Sequence, residues 1–251
     1  MGTIALLSRL IVRISRWLCQ RVDAAIVKSE GMKKAASMSK DNIFIIPNGV
    51  DFELFCSIPR AEARAALGWD QERYYVLFCN DPRIPVKNFP LAQAAIERLR
   101  AGGTSAELVV ASGLPQTKVV QYMNASNALI LPSIAEGSPN VVKETMACNV
   151  PVVSTDVGDV SQIISHTRGC SVCPPDPDAL ALALERAIQH KEPTTGRTDI
   201  MHLDRRVVAK QVIAVYEKVI SKKVREHTTQ HILEEEGIQG PDQQDTHVAA
   251  F

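Results

Sequence analysis

From Tyr74 onward, short apolar runs alternate with segments of helical period. The pattern predicts strands at 75–79, 107–111, 128–131 and 150–154, and helices at 89–99, 116–124, 139–148, 160–165 and 178–190. The strand runs YVLFC, ELVVA, ALIL and VPVVS lack the apolar/polar alternation of a strand with one wet face. Both faces must therefore be covered, which indicates a parallel sheet between two helical layers. The expected fold is an α/β, doubly wound parallel sheet. It is closed by a long amphipathic helix over 203–225 whose apolar positions are Val207, Val208, Val212, Val215, Tyr216 and Val219.

Upstream the pattern is different. At about 100° per residue, Arg9, Arg13 and Arg16 share one side of residues 1–22, and Leu7, Leu10, Ile11, Ile14, Trp17 and Leu18 share the other. Such a helix fits either an anionic membrane surface or a domain helix with a solvated basic face. Arg9 and Arg13 interrupt what would be a secretory apolar region. No run reaches the roughly 20 apolar residues of a membrane span. Short strands are expected at 23–27 and 42–46, with Ser29 capping a helix from near Glu30. Pro47-Asn48-Gly49 is a turn signal, residues 51–59 an irregular connector, and 60–67 a helix stopped by Gly68. Residues 226–251 are polar with little to bury and read as a disordered tail. The expected divisions are an amino-terminal remnant at 1–47, a connector at 48–73, the α/β domain at 74–225 and the tail at 226–251.

Composition narrows the chemistry. Equal numbers of basic and acidic residues, 28 each, give no general attraction for nucleic acid, and no basic stripe with stacking aromatics is present. The 45% hydrophobic content excludes a wholly disordered chain. Six irregularly spaced cysteines do not form a disulfide framework and point to a reducing, cytoplasmic setting. Cys170-Ser-Val-Cys173 lacks the second ligand pair of a zinc site. Asp176-Pro177-Asp178 precedes a helix that Asp178 is expected to cap. The six histidines fall into no nucleophile–base arrangement. No metal or cofactor is expected.

The informative stretch is 129–159, LILPSIAEGSPNVVKETMACNVPVVSTDVGD. It reads as strand, loop, helix and strand, with Ser138 placed to cap the helix and Pro139 in its first turn. The helix would begin at the carboxyl end of a parallel strand, where its free amides and dipole attract anions. Glu136 lies before the helix and Glu144 within it. A continuous helix would separate them by about 12 Å, too far for the roughly 5–5.5 Å of a retaining glycosidase's carboxylate pair. They suit a ligand lying along the helix start, one carboxylate at each end.

This E-x7-E arrangement within PSIAEGSPNVVKETMACNVPVV resembles the signature of retaining, nucleotide-sugar-dependent glycosyltransferases of the GT-B fold, of the group 1 or family 4 type. PNGVDFELF, residues 47–55, resembles the segment by which those enzymes pass from the acceptor domain into the Rossmann-like donor domain. The resemblance runs from about Asp23 to Val219 and implies a role for each matching residue. Glu136 is the catalytic carboxylate beside the donor sugar, Glu144 binds the ribose, and Gly137, Ser138, Pro139, Asn140 and Val141 surround the diphosphate. Arg83 and Lys87, on the first loop of the donor domain, would neutralise that diphosphate without a metal. The family's usual interval places the Arg one residue earlier. Asn149 stands where the family usually has Gly, in a left-handed position that Asn tolerates. Ser112-Gly113 falls where relatives contact the base.

The implied activity is transfer from a UDP- or GDP-sugar to a glycan or lipid-linked acceptor, in bacterial surface or cell-wall polysaccharide synthesis. The place would be the cytoplasm or the inner face of its membrane. The alternatives are a nucleotide-sugar-binding module inactive alone, most of the acceptor domain being missing, and a GT-B nucleotide-sugar epimerase.

Overall fold

The computed structural model describes residues 10–14, 17–18, 21–35, 42–190 and 192–235. The chain begins with β1 (Ala25–Val27), α1 (Glu30–Ala35) and β2 (Ile43–Ile45), the two strands pairing in parallel. Ser29 Oγ accepts from Met32 N at 3.4 Å, as its place before α1 predicts. After the connector comes α2 (Arg60–Leu67), ended by Gly68 in the left-handed conformation.

The larger unit follows in the order β3 (Tyr74–Phe78), α3 (Phe89–Ala101), β4 (Ala106–Val110), α4 (Gln116–Ala125), β5 (Ala128–Leu131), α5 (Asn140–Ala147), β6 (Val152–Thr155), α6 (Val160–Ile164), β7 (Ser171–Cys173) and α7 (Pro177–Gln189). Its five strands are all parallel and lie in the order β4-β3-β5-β6-β7. Alternate strand residues feed two cores. Leu77, Leu129, Leu131 and Val152 pack with Val120, Val142, Met146 and Ile164 on one face. Val76, Phe78, Ala128, Ile130 and Val153 pack with Ile96, Leu180 and Leu184 on the other. Both faces are dry, which is why the strand runs are uninterruptedly apolar. Each fully buried Leu or Ile contributes about 1.5–3 kcal/mol, so the sheet is a rigid platform for the loops at its carboxyl edge.

Four features differ from the sequence reading. β7 is an edge strand whose Ser-Val-Cys run, with Val172 partly exposed, carries no strand signal of its own. A short helix, α8 (Gly196–Asp199), was also not foreseen. The last helix, α9 (Arg205–Glu235), continues through the first part of the expected tail, and residues 236–251 lie outside the described residues. Its buried side carries Val208, Val212 and Val215 against Ala24, Phe44 and Ile46 of the small sheet, whereas Val207 and Tyr216 face solvent.

At the amino-terminal end, residues 10–14 and 17–18 are helical, with Leu10, Ile11, Ile14, Trp17 and Leu18 exposed. Leu7, Arg9 and Arg16 lie outside the described residues. Among the described residues no helix is long and apolar enough to cross a membrane.

Candidate functional site

β3 connects to β4 on one side of it, and the chain then returns to β5 on the other. Such a reversal leaves a crevice between the carboxyl ends of the two strands, the position at which open parallel sheets bind ligands. Two loops fill it, one after β3 carrying Arg83 and Lys87, the other after β5 carrying Glu136. A backbone hydrogen bond from Ile134 N to Val86 O, 2.8 Å, joins them.

That tie brings Lys87 and Glu136 together across 49 positions of sequence, with Nζ 2.7 Å from Oε1. Lys87 closes a short 3-10 turn, Pro85–Lys87, and Asn88 beyond it turns the chain left-handed at φ 54° into α3. The pair is largely shielded, with side-chain exposures of 21% and 11%. An ammonium has three N–H groups, so Lys87 can hold Glu136 and still meet an anion. Ser133, 1% exposed, donates from Oγ to the same Glu136 oxygen at 2.8 Å. A hollow of about 390 Å³ beside this group is lined by Asn88, Ser133, Ile134 and Thr155 among others.

The loop backbone is set from behind by Gly158. At φ 60° it lies so close that a Cβ would come 2.6 Å from Gly137 O. Only glycine combines that conformation with that approach.

The start of α5 corrects two expectations. Pro139 occupies the cap position and no side chain caps the helix. Ser138 instead donates to Asp159 Oδ2 at 2.6 Å and accepts from Lys143 Nζ at 2.9 Å. Pro139 has no N–H, so the amides offered by this stretch are those of Gly137, Ser138, Asn140 and Val141. Lys143, with no exposed surface, also donates to Asn48 O at 3.2 Å, and Asn48 Nδ2 donates to Asn140 Oδ1 at 2.9 Å. The connector is thereby fastened to the helix start. Burial lowers the Lys143 pKa, against the pull of the Asp159 charge.

Glu144 sits deeper. Burial raises its carboxyl pKa, and the neighbouring Lys143 charge only partly opposes this. Cys79, at the end of β3, is pushed up to about 11 by burial first and by the Glu144 charge second, which sets Glu144 near the same crevice.

Arg83 does not join the group. Its side chain is 88% exposed and turns back on Asp81 at 2.8 Å, whose carboxyl those hydrogen bonds hold down at about 2. Gly113, in the loop after β4, is left-handed at φ 67°, as is Asn149 at φ 57° after α5.

Elsewhere, Asp176 rather than Asp178 caps α7, accepting from Ala179 N at 2.9 Å, while Asp178 pairs with Arg98. The described cysteines are free thiols, and burial pushes Cys148 to about 12 and Cys170 to about 11. No group of three or more His, Cys, Asp or Glu among the described residues could hold a metal.

Sequence reasoning missed Ser133, Lys143, Asp159 and Arg197. Arg197 donates to Phe52 O, Phe55 O and Ala147 O and so clamps the connector to the end of α5. Ser133 had a signal, being the first hydroxyl after β5. The others act through contacts that no local spacing reveals.

Residues 80–190 match the family model described as glycosyl transferases group 1. A Bacillus subtilis protein named TuaC, a glycosyltransferase of teichuronic acid biosynthesis by its name, is 38% identical over 78 residues, 31% of this chain and 20% of its own. The D-inositol 3-phosphate glycosyltransferase of Frankia alni is 29% identical over 185 residues, 59% of this chain and 45% of its own. The chain thus spans less than half the length of either curated relative. Among solved structures, Anabaena Alr3699/HepE in complex with UDP and glucose superposes with a TM-score of 0.68 at 17% identity, over 84% of this chain and 67% of that one. The fold is that of GT-B glycosyltransferases.

Proposed function

We propose, from the match of residues 80–190 to glycosyl transferases group 1, that the chain is the donor-binding half of a retaining glycosyltransferase. Its ligand is a nucleoside-diphosphate sugar, which HepE binds as UDP-glucose in a solved complex. The observation that carries the reading is the meeting of Lys87 and Glu136 at the sheet's reversal point, 2.7 Å apart and beside the start of α5.

In this reading the diphosphate lies against the free N–H groups of Lys87 and the amides of Gly137, Ser138, Asn140 and Val141. Glu136 faces the sugar and supports positive charge developing at its anomeric carbon. Glu144 accepts a ribose hydroxyl. Arg83 swings from Asp81 to the phosphates when ligand arrives. The transferred sugar goes to a glycan or lipid-linked acceptor of bacterial surface or cell-wall polysaccharide, with no metal required.

A second reading is a binding module that performs no transfer alone. Titration with UDP-glucose and GDP-mannose, with sugar release followed in parallel, separates the two. Saturable binding that is lost in Lys87→Ala and Glu144→Ala supports the donor site. Turnover then supports the enzyme, its absence the module. Failure to bind either nucleotide sugar sinks both.

A further inference from the structure

A carboxylate at the end of a glutamate is poorly oriented by default, because its terminal torsion is broad and roughly two-fold. A lysine on a four-carbon stem does little to fix it. Glu136 is held otherwise. Thr155 Oγ1, buried in β6, donates to Ser133 O at 2.6 Å and pins the backbone where the chain leaves β5. Ser133 Oγ, on a short buried stem, then donates to Glu136 Oε1 at 2.8 Å. Lys87 Nζ reaches the same oxygen at 2.7 Å. Two donors from different loops on one oxygen fix the carboxylate plane, and among the described residues Oε2 is the oxygen left for a ligand. A short hydroxyl–carboxylate bond is also among the stronger hydrogen bonds.

We propose that Ser133 is a positioning residue that sets the preference for nucleotide sugar over free nucleotide: by holding Oε1 it aims Oε2 of Glu136 at a hydroxyl of the donor sugar. The inference rests on the donor-site reading above. The base and phosphates of a nucleoside diphosphate would rest on Lys87, Glu144 and the α5 amides, so loosening Glu136 should weaken only the sugar's share of binding.

The test measures, on the full chain at neutral pH, affinities for UDP, UDP-glucose, GDP and GDP-mannose, expressed as the ratio of sugar-bearing to free nucleotide. Ser133→Ala should cut that ratio about three- to tenfold with the melting temperature and free-nucleotide affinity unchanged. Ser133→Thr, which keeps the hydroxyl, should retain it. In a Glu136→Ala background, which removes the oxygen that Ser133 holds, Ser133→Ala should have no further effect on the ratio. If Ser133→Ala melts early, Ser133→Cys, near in volume but a weak donor, carries the same expectation. An unchanged ratio, equal loss of free and sugar-bearing nucleotide, or the same loss in the Glu136→Ala background overturns the Ser133 role while leaving the donor site standing. No binding of any of the four by the unaltered chain overturns both.

Discussion

Glu136 and Glu144 are the same side chain, eight positions apart, and the fold treats them in opposite ways. Glu136 stands on a loop with a cation and a hydroxyl on one of its oxygens. Glu144 lies within α5 near an uncharged thiol, and burial raises its pKa. The first arrangement holds a charge ready in a defined direction. The second keeps an acceptor partly desolvated, which strengthens a hydrogen bond to a neutral hydroxyl but costs folding energy. The spacing of an E-x7-E pair thus encodes two environments.

Four experiments would break or sharpen that contrast. The largest effect is expected from Lys143→Ala, which removes a buried cation from Ser138, Asn48 and the Asp159 field. Loss of one member of a buried charged group costs about 3–5 kcal/mol, read as a large fall in denaturant midpoint. Retention of stability would mean that the start of α5, and the loop before it, is held by something else.

Next comes Gly158→Ala, which puts a methyl against Gly137 O in a left-handed backbone. Strain of this kind costs about 1–3 kcal/mol. Because the displaced loop carries Glu136 and not Glu144, affinity for nucleotide sugar should fall more than affinity for free nucleotide.

Glu144→Gln tests the other carboxylate. Nucleotide affinity should drop by about tenfold at most, the worth of one hydrogen bond. Stability should rise at neutral pH, because a carboxyl whose folded pKa is raised destabilises the native state above that pKa and costs nothing once protonated in both states. The variant's advantage in melting temperature should therefore shrink as pH falls toward 4.5, the ordinary glutamate value. An advantage that grew on acidification would contradict the burial argument. The smallest effect belongs to Arg83→Ala, whose exposed ion pair with Asp81 should leave the denaturant midpoint essentially unchanged. A clear loss of nucleotide binding in this variant would show that the guanidinium reaches the phosphates when ligand is present.

The sheet was legible because its strands are buried on both faces, so runs such as Tyr75–Phe78 and Ala128–Leu131 declare themselves without reference to anything distant. β7 was not, since an edge strand of three residues has too little burial to mark it. The two loops of the crevice could be named from the order of strands and the residues that follow them. Their internal wiring could not. Ser138 has the sequence position of a helix cap, yet Asp159, 21 residues on, accepts its hydrogen bond and Lys143 donates to its oxygen. Asp176 likewise displaced Asp178 as the cap of α7, a shift of two residues within one acidic cluster. Such choices depend on which long-range partner is in reach, and spacing alone holds no record of that.

Lys143 has a mechanical meaning beyond its energy. Its ammonium bonds both the Asn48 carbonyl, in the strap leading from the amino-terminal strands, and the Ser138 hydroxyl, in the loop that follows β5. A displacement of the connector at Asn48 would therefore be felt by that loop through Lys143, alongside the Asn48–Asn140 bond to the start of α5, without passing through the sheet. The connector and the loop after β5 are thus fastened at one buried point, so whatever fixes the path of the connector also fixes the backbone beside Glu136.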